Sequence, residues 1–257
     1  MDWIIKPSPI VSCPVLGQSS AFPARNIYCV GRNYREHAVE MGSDPDREAP
    51  FFFQKTSEVL LLPGNNLEYP NDTKELHHEV EIVVALSKDG YKIETTEVNE
   101  MIFGYAVGVD LTKRDIQKKA KESGKPWLGG KVFAGSAVIS DIVLRDESTD
   151  SDKLEISLSV NGECRQKTES NKMIWSVNEI IYLLSQTVPL VAGDLIYTGT
   201  PSGVGKIEKG DTISAILHQE NNIKCQYGAK TPIYRAVTYN RTHGNALTHS
   251  CNTKIKQ

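Results

Sequence analysis

The sequence predicts an α+β protein built on a mixed, mainly antiparallel β-sheet with a few packed helices. Three observations lead there. Short apolar runs of strand length outnumber helical patterns. Hairpin signals such as Asn161-Gly162 mix with longer connections instead of alternating strand with helix. At 257 residues the chain can bury a substantial core.

The elements follow in order. Residues 1–24 are rich in Pro and Ser and predict an extended arm or small hairpin. A strand over Ile27 to Val30 meets Gly31, and Tyr34 to Met41 reads as a short helix with Gly42 as its C-cap. Pro50 to Lys55 is a short apolar strand, and Pro63-Gly64-Asn65-Asn66 is a turn. Ile82 to Leu86 is apolar throughout, the pattern of a strand buried on both faces, and Phe103 to Val109 is similar. Thr112-Lys113-Arg114-Asp115 has the form of a capping box, with a helix over Asp115 to Glu122 that Gly124-Lys125-Pro126 ends. Leu154 to Val160 and Glu163 to Lys167 flank Asn161-Gly162 as a hairpin. Ser176-Val177-Asn178-Glu179 is a second capping box, opening a helix with Ile180, Ile181, Leu183, Leu184 and Val188 on its apolar side. A strand over Leu195 to Thr198 leads into the loop Gly199 to Gly205, and a last hairpin spans Thr212 to Tyr227. The polar tail, 234–257, has no period and is read as poorly ordered.

Composition narrows the function. A formal net charge of −3 with no long basic cluster argues against a nucleic-acid surface. No apolar run approaches a membrane span, and the N-terminus lacks the basic start and apolar core of a signal peptide. Five scattered cysteines with no CxxC pair fit reduced thiols, so a cytoplasmic location is expected.

The chemistry concentrates in a few places. Glu79 and Glu81 are two apart in a strand-like run, which puts both carboxylates on one face. Two like charges held that close call for a cation, and Asp110, at the end of another strand, can supply a third oxygen. An all-oxygen set suits Mg²⁺, Mn²⁺ or Ca²⁺ better than Zn²⁺. The competing reading is a solvated strand face. His37 and Glu40 are spaced i, i+3 on a helix, so the carboxylate can orient the imidazole as a general base. Taken alone, that spacing is common on surfaces. Lys131 follows Gly129-Gly130 near Trp127 and can point into a pocket toward an anion, or lie solvated in a loop. In Thr198 to Gly205 the glycines let backbone N–H groups approach and hold an anion, although no Gly-Lys-Ser/Thr follows. His77 shares the face of the acidic pair, yet a mixed His/Glu zinc site is a poorer match than an oxygen site. Ser202 is not in a nucleophile elbow, and no cysteine has a sequence partner that would make it a nucleophile.

Six motifs occur in one order: IYCVGRNYREHAVEMG, LHHEVEIVVAL, FGYAVGVDLTKRDIQ, GKPW followed by Lys131, VNGECRQ and GDLIYTGTPSGVG. Together they resemble the fumarylacetoacetate hydrolase family, with the single-domain fumarylpyruvate and acylpyruvate hydrolases nearest, over about residues 25 to 218. The resemblance implies a rolled mixed sheet and a homodimer. With the arm at 1–24 and the tail at 234–257 read from composition, the catalytic domain that resembles the family is placed at 25–233, and the tail matches no part of the family pattern. By position, Glu79, Glu81 and Asp110 match the metal ligands, usually for Mg²⁺ or Mn²⁺. His37 and Glu40 match the catalytic dyad, on a segment able to close over the site, and Lys131 matches the active-site lysine. Arg32, Gln117 and Thr200 match positions that hold the substrate's carboxylate end. The chain departs from the pattern at Val132-Phe133-Ala134, at Gly135 to Val138 and at Gly129-Gly130, which is expected to alter the acyl pocket. The implied activity is hydrolysis of an acylpyruvate, a 2-oxo acid, to pyruvate and a carboxylic acid such as fumarate. Oxaloacetate decarboxylation or 2-oxo acid isomerisation at the same site are the alternatives. A non-catalytic metal-stabilised binding protein is the reading from another class; in it His37, Lys131 and the acidic pair need not converge on one pocket, and a structure with His37 and Lys131 far from the carboxylates would favour it.

Overall fold

The computed structural model of the chain describes residues 2–40, 48–147, 149–219, 223–228 and 253–254. Its centre is an eight-stranded mixed sheet. Across it run Phe51–Thr56, Asn26–Gly31, Leu195–Tyr197, Val80–Leu86, Ile102–Asp110, Ala137–Ile139 and Leu60–Leu61 in that spatial order, with Val143–Leu144 also paired to Ile102–Asp110. Two of the pairings are parallel, Leu195–Tyr197 on Asn26–Gly31 and Ala137–Ile139 on Leu60–Leu61. The sheet curls into a half-barrel, and the α+β, sheet-dominated architecture expected from sequence is the one observed.

Alternation explains why the central strands read as continuous apolar runs. Ile82, Val84 and Leu86 enter one core, and Val83 and Ala85 enter another on the opposite face. The first core is closed by a second sheet and by the helix Val177–Thr187. That sheet contributes Leu154, Ile156 and Leu158 from Leu154–Val160, and Ile213 and Leu217 from Thr212–Gln219. The second core is closed by the amino-terminal hairpin, Ser12–Pro14 on Ala21–Pro23, through Cys13 and Phe22. Every residue of Val80–Leu86 is buried as a result.

Local signals hold in most places. Asn161 and Gly162 both have positive φ, 53° and 85°, as a tight right-twisted hairpin turn needs. Ser176 and Glu179 form the reciprocal capping box, and Ile180, Ile181 and Leu184 of the helix they open are fully buried. The box expected at Thr112 is not formed. Thr112 belongs to the strand Thr112–Lys113, and the helix starts at Arg114 with no side-chain cap. The reason is competition for both partners: the Thr112 hydroxyl accepts from Lys131, and Asp115 accepts from the Thr73 hydroxyl and the Lys74 amide. The His37 helix spans Arg35–Glu40, and the Gly42 C-cap lies outside the described residues. Of the tail, only 253–254 are described, and they pair with Thr212 and Ile213. No helix among the described residues is long and apolar enough to cross a membrane.

Candidate active site

Glu79 sits at the junction between the strands Leu76–His78 and Val80–Leu86. Val80 is registered with Val109 and Glu81 with Gly108, so Glu79 falls opposite Asp110, whose amide donates to the Glu79 carbonyl at 2.8 Å. Period two then returns Glu81 to the same face. One oxygen from each of Glu79, Glu81 and Asp110 lies within 4.8 Å of the others. All three residues are at most 5% exposed, which excludes the solvated strand face.

Three cations surround them. Lys131, only 3% exposed, donates to Glu79 at 2.7 Å, Asp110 at 2.6 Å and the Thr112 hydroxyl at 2.7 Å. It ends the short helix Leu128–Lys131, so it is neither in a loop nor solvated. Arg114 pairs with the other oxygen of Glu79 and donates to Gln117. Lys55, 2% exposed, pairs with Asp110 at 2.8 Å and donates to the carbonyls of Leu111, Lys131 and Ser136. Burial pushes the Glu79 carboxyl up, but the Lys131 and Arg114 charges more than offset this and hold it below the usual carboxylate range. Glu81 makes no ion pair with a cation among the described residues. Burial, then repulsion from Asp110 and Glu79, raise its carboxyl well above that range. A divalent cation at the shared oxygens would remove this penalty. The hard, all-oxygen donor set fits such an ion.

The glycine loop holds anions, but they are the protein's own. The Gly199 amide donates to Glu81 at 2.7 Å, and the Gly203 amide donates to Glu40 at 3.2 Å. Gly199 has a φ of +98°, and a Cβ there would lie 2.7 Å from that of Asn33, so the turn needs glycine. Buried Gln166 fastens this loop to the floor. Its amide nitrogen donates to Thr200 and to the Pro201 carbonyl, while its oxygen accepts from the Val80 amide and contacts His78 Nδ1 at 2.9 Å. Across the cavity, His37 Nδ1 meets Glu40 Oε2 at 3.2 Å. Nε2 is then the ring nitrogen that Glu40 does not engage, on a side chain that lines the cavity.

Of the nine residues singled out from sequence, all but Glu40 line one cavity of about 70 Å³. Glu40 stands behind His37. Scattered groups would have favoured the non-catalytic reading, and these groups are gathered. Arg32, with φ +56°, lies over the Phe51 ring at 5.3 Å. The far end of that ring fits against the backbone because Gly31 has no Cβ, which would come within 1.9 Å of it. Gly130 likewise lets its helix press on Gln117, where a Cβ would come within 3.0 Å.

Sequence reasoning missed several residues. Lys55, Arg114, Gln166 and the aromatic wall of Phe51, Phe53 and Trp127 were not singled out. Phe53 lies between Lys131, 5.0 Å away, and Trp127, 6.0 Å away, and Phe51 meets Trp127 edge-on at 5.3 Å. A usable signal existed: Phe51, Phe53 and Lys55 alternate on one strand face. The expectation that Val132-Phe133-Ala134 shapes the acyl pocket is corrected. None of the three lines the cavity. Val132 packs into the second core, and Phe133 lies under Lys113, 4.6 Å from its ring.

Comparison with known proteins agrees with this geometry. The family model described as fumarylacetoacetate (FAA) hydrolase C-terminal matches residues 26–226. The oxaloacetate tautomerase FAHD1, mitochondrial, of Homo sapiens is 39% identical over 194 residues, covering 76% of this chain and 87% of that protein. A fumarylpyruvate hydrolase of Ralstonia sp is 41% identical over 175 residues, covering 67% of this chain and 91% of that one. The crystal structure of fumarylpyruvate hydrolase from Pseudomonas aeruginosa, in complex with Mn²⁺ and pyruvate, superposes with a TM-score of 0.81 at 40% identity. It covers 88% of this chain and 97% of that one. A three-carboxylate floor, an oriented imidazole over it and a family match across most of the chain converge on one statement: this chain belongs to the fumarylacetoacetate hydrolase family of enzymes.

Proposed function

We propose that this protein hydrolyses the C–C bond of an acylpyruvate, giving pyruvate and a carboxylic acid. The observation that carries the reading is that the His37–Glu40 pair and the three-carboxylate cluster face the same cavity. Glu79, Glu81 and Asp110 hold a divalent cation in this reading, Mg²⁺ by preference, with Mn²⁺ or Ca²⁺ as alternatives. The Mn²⁺ of the Pseudomonas hydrolase supports a divalent ion. Charge supports it too. Three carboxylates face Lys55, Lys131 and Arg114, so a divalent ion leaves the floor with a net positive charge. That is the field a dianionic 2-oxo acid requires.

Glu40 accepts from His37 Nδ1–H, which leaves Nε2 free to take a proton from water. The resulting hydroxide adds to the C4 carbonyl of the substrate. The adduct collapses to the carboxylic acid, and the C3–C4 electron pair leaves with the pyruvate portion as its enolate. The divalent cation supplies the Lewis acidity that stabilises this developing charge. Lys131 adds a buried ammonium beside it, held in place by Glu79, Asp110 and Thr112. A proton returned to C3 completes pyruvate. Arg32, Gln117 and Thr200 line the same cavity and bind the substrate's 2-oxo acid end in this reading. The protein acts as a homodimer in the cytoplasm. The family resemblance supports the first, and the free thiols of Cys13, Cys29 and Cys164 support a reducing compartment.

A second reading uses the same floor without attacking water: oxaloacetate decarboxylation, in which loss of CO₂ leaves the pyruvate enolate, or oxaloacetate tautomerisation, which moves a proton between C3 and the oxo oxygen of intact oxaloacetate. The similarity to the human oxaloacetate tautomerase favours it specifically. The test is to offer purified protein with Mg²⁺ fumarylpyruvate and, separately, oxaloacetate. Release of fumarate and pyruvate in equal amounts is expected. Oxaloacetate consumption with fumarylpyruvate left intact would replace hydrolysis by the second reading.

A further inference from the structure

We infer that Lys121 is a specificity residue at the outer end of the cavity, binding a second carboxylate at the far end of the acyl group. The preferred substrates are then long dicarboxylates, not acylpyruvates with an apolar tail.

The helix Arg114–Glu122 presents three residues to the cavity, Arg114, Gln117 and Lys121. Their spacing of three and four puts them on one face. Arg114 is held by Glu79 at the floor, and Gln117 is one turn further out. Lys121 is one turn beyond that, about 10 Å along the axis from Arg114 at a rise of 1.5 Å per residue. The chain then turns back. Gly130 packs against Gln117, and Trp127, the N-cap of the short helix that carries Gly130, lines the same cavity as Lys121. The cavity is therefore zoned. It has a charged floor, an aromatic wall of Phe53, Trp127 and Phe51, and a cation, Lys121, on the last turn of the lining helix. A ligand that matches all three zones carries an acid at each end of an apolar spacer. In an extended seven-carbon 2-oxo diacid the two carboxyl carbons are about 7 Å apart, and the long lysine stem covers the remainder. The four-carbon oxaloacetate is too short to meet floor and Lys121 together.

The commitments of the other cations sharpen the assignment. Lys131 and Arg114 are bound to carboxylates of the floor, and Arg32 stacks on Phe51. Lys121 makes no ion pair among the described residues. Its alternative role is to complement the C-terminal end of its helix, as Lys119 also does. Lys118 and Lys119 are exposed on the same helix and do not line the cavity, so they serve as controls.

This inference rests on the proposed acylpyruvate reading, so its test has an arm that needs no turnover. Lys121→Gln, Lys121→Arg and the control Lys118→Gln are compared in the full chain with Mg²⁺. Kinetics are measured on fumarylpyruvate and on acetylpyruvate. Binding is measured by calorimetry with 2-oxoheptanedioate and with 2-oxoheptanoate, which differ only in the terminal carboxylate. Lys121→Gln is expected to raise KM for fumarylpyruvate about three- to fivefold, the upper scale of an exposed ion pair. Its kcat on fumarylpyruvate and both constants on acetylpyruvate should stay within about twofold. It should weaken the diacid about as much and leave the monoacid unchanged, while Lys121→Arg and Lys118→Gln behave as wild type. Equal effects on diacid and monoacid, or none on either, would overturn the assignment. Failure of all forms to hydrolyse either acylpyruvate would instead overturn the proposed activity. The binding arm then decides the role of Lys121 alone.

Discussion

Glu81 and His37 face the same cavity but are held in different ways. Glu81 lies in a strand buried on both faces, and its neighbours Glu79 and Asp110 are fixed by Lys55, Lys131 and Arg114, which come from three separate segments. His37 rides on the six-residue helix Arg35–Glu40, whose partner Glu40 is 35% exposed on its side chain. Two contacts in the glycine loop tie that helix down: Ser202 donates to Glu36 at 3.0 Å, and the Gly203 amide donates to Glu40 at 3.2 Å. In the proposed reading, charge binding is built into the core, and proton transfer is built onto the edge. Substitutions in the floor should therefore change stability and function together, and those in the helix function alone.

The largest effect is expected in the floor. Glu81→Gln should abolish the Mg²⁺-dependent rise in melting temperature and cut turnover by about 10³-fold or more. It should also stabilise the protein in EDTA at neutral pH. Because the folded-state pKa of Glu81 is raised, the ionised form costs stability, and that cost grows as pH rises above the ordinary carboxylate range. Each kcal/mol relieved corresponds to about 2–4 °C for a chain of this size. Melts with and without Mg²⁺ check both halves. A metal-dependent shift that survives the substitution would take Glu81 out of the cation site.

His37→Ala comes next. It should lower kcat by about 10²–10⁴-fold while metal binding, read by calorimetry, and melting temperature stay close to wild type. A parallel loss of metal binding would erase the distinction between floor and edge. Glu40→Gln should cost less, about 10-fold, since an amide still meets His37 but no longer favours the imidazolium. The smallest effect concerns His77, two residues before Glu79 on the floor strand. Burial, helped by Arg114, lowers its pKa to about 4. A depressed histidine favours the neutral form, so its contribution to stability is complete above about pH 6.5 and fades as pH falls toward 4. His77→Gln should flatten that acid limb without changing stability at pH 8, as melting curves across pH will show.

The same contrast explains what was legible beforehand. His37 and Glu40 were found from a local spacing that the helix preserves. Glu79 and Glu81 were found from strand period, which survives the interruption of the strand at Glu79 because Glu79 still pairs with Asp110 through its backbone. Lys55 was not found because its contacts are with Asp110 and with carbonyls more than fifty residues away, and nothing in FFFQKT names them. Arg114 was concealed by a misread helix start. Thr112-x-x-Asp115 satisfies a capping pattern, yet tertiary partners recruited both side chains. Val132 to Ala134 drew attention as a departure from the family pattern, while the wall that bounds the cavity came from Phe51, Phe53 and Trp127, which carry no chemical signature alone.

The central claim is that a base on the edge delivers water to a substrate held over the floor. Turnover of fumarylpyruvate in H₂¹⁸O, with products read by mass spectrometry, tests it most directly. One ¹⁸O in the newly formed carboxylate of fumarate, and loss of that product in His37→Ala with Mg²⁺ still bound, is the predicted result. Unlabelled fumarate, or full labelling by His37→Ala, would contradict it.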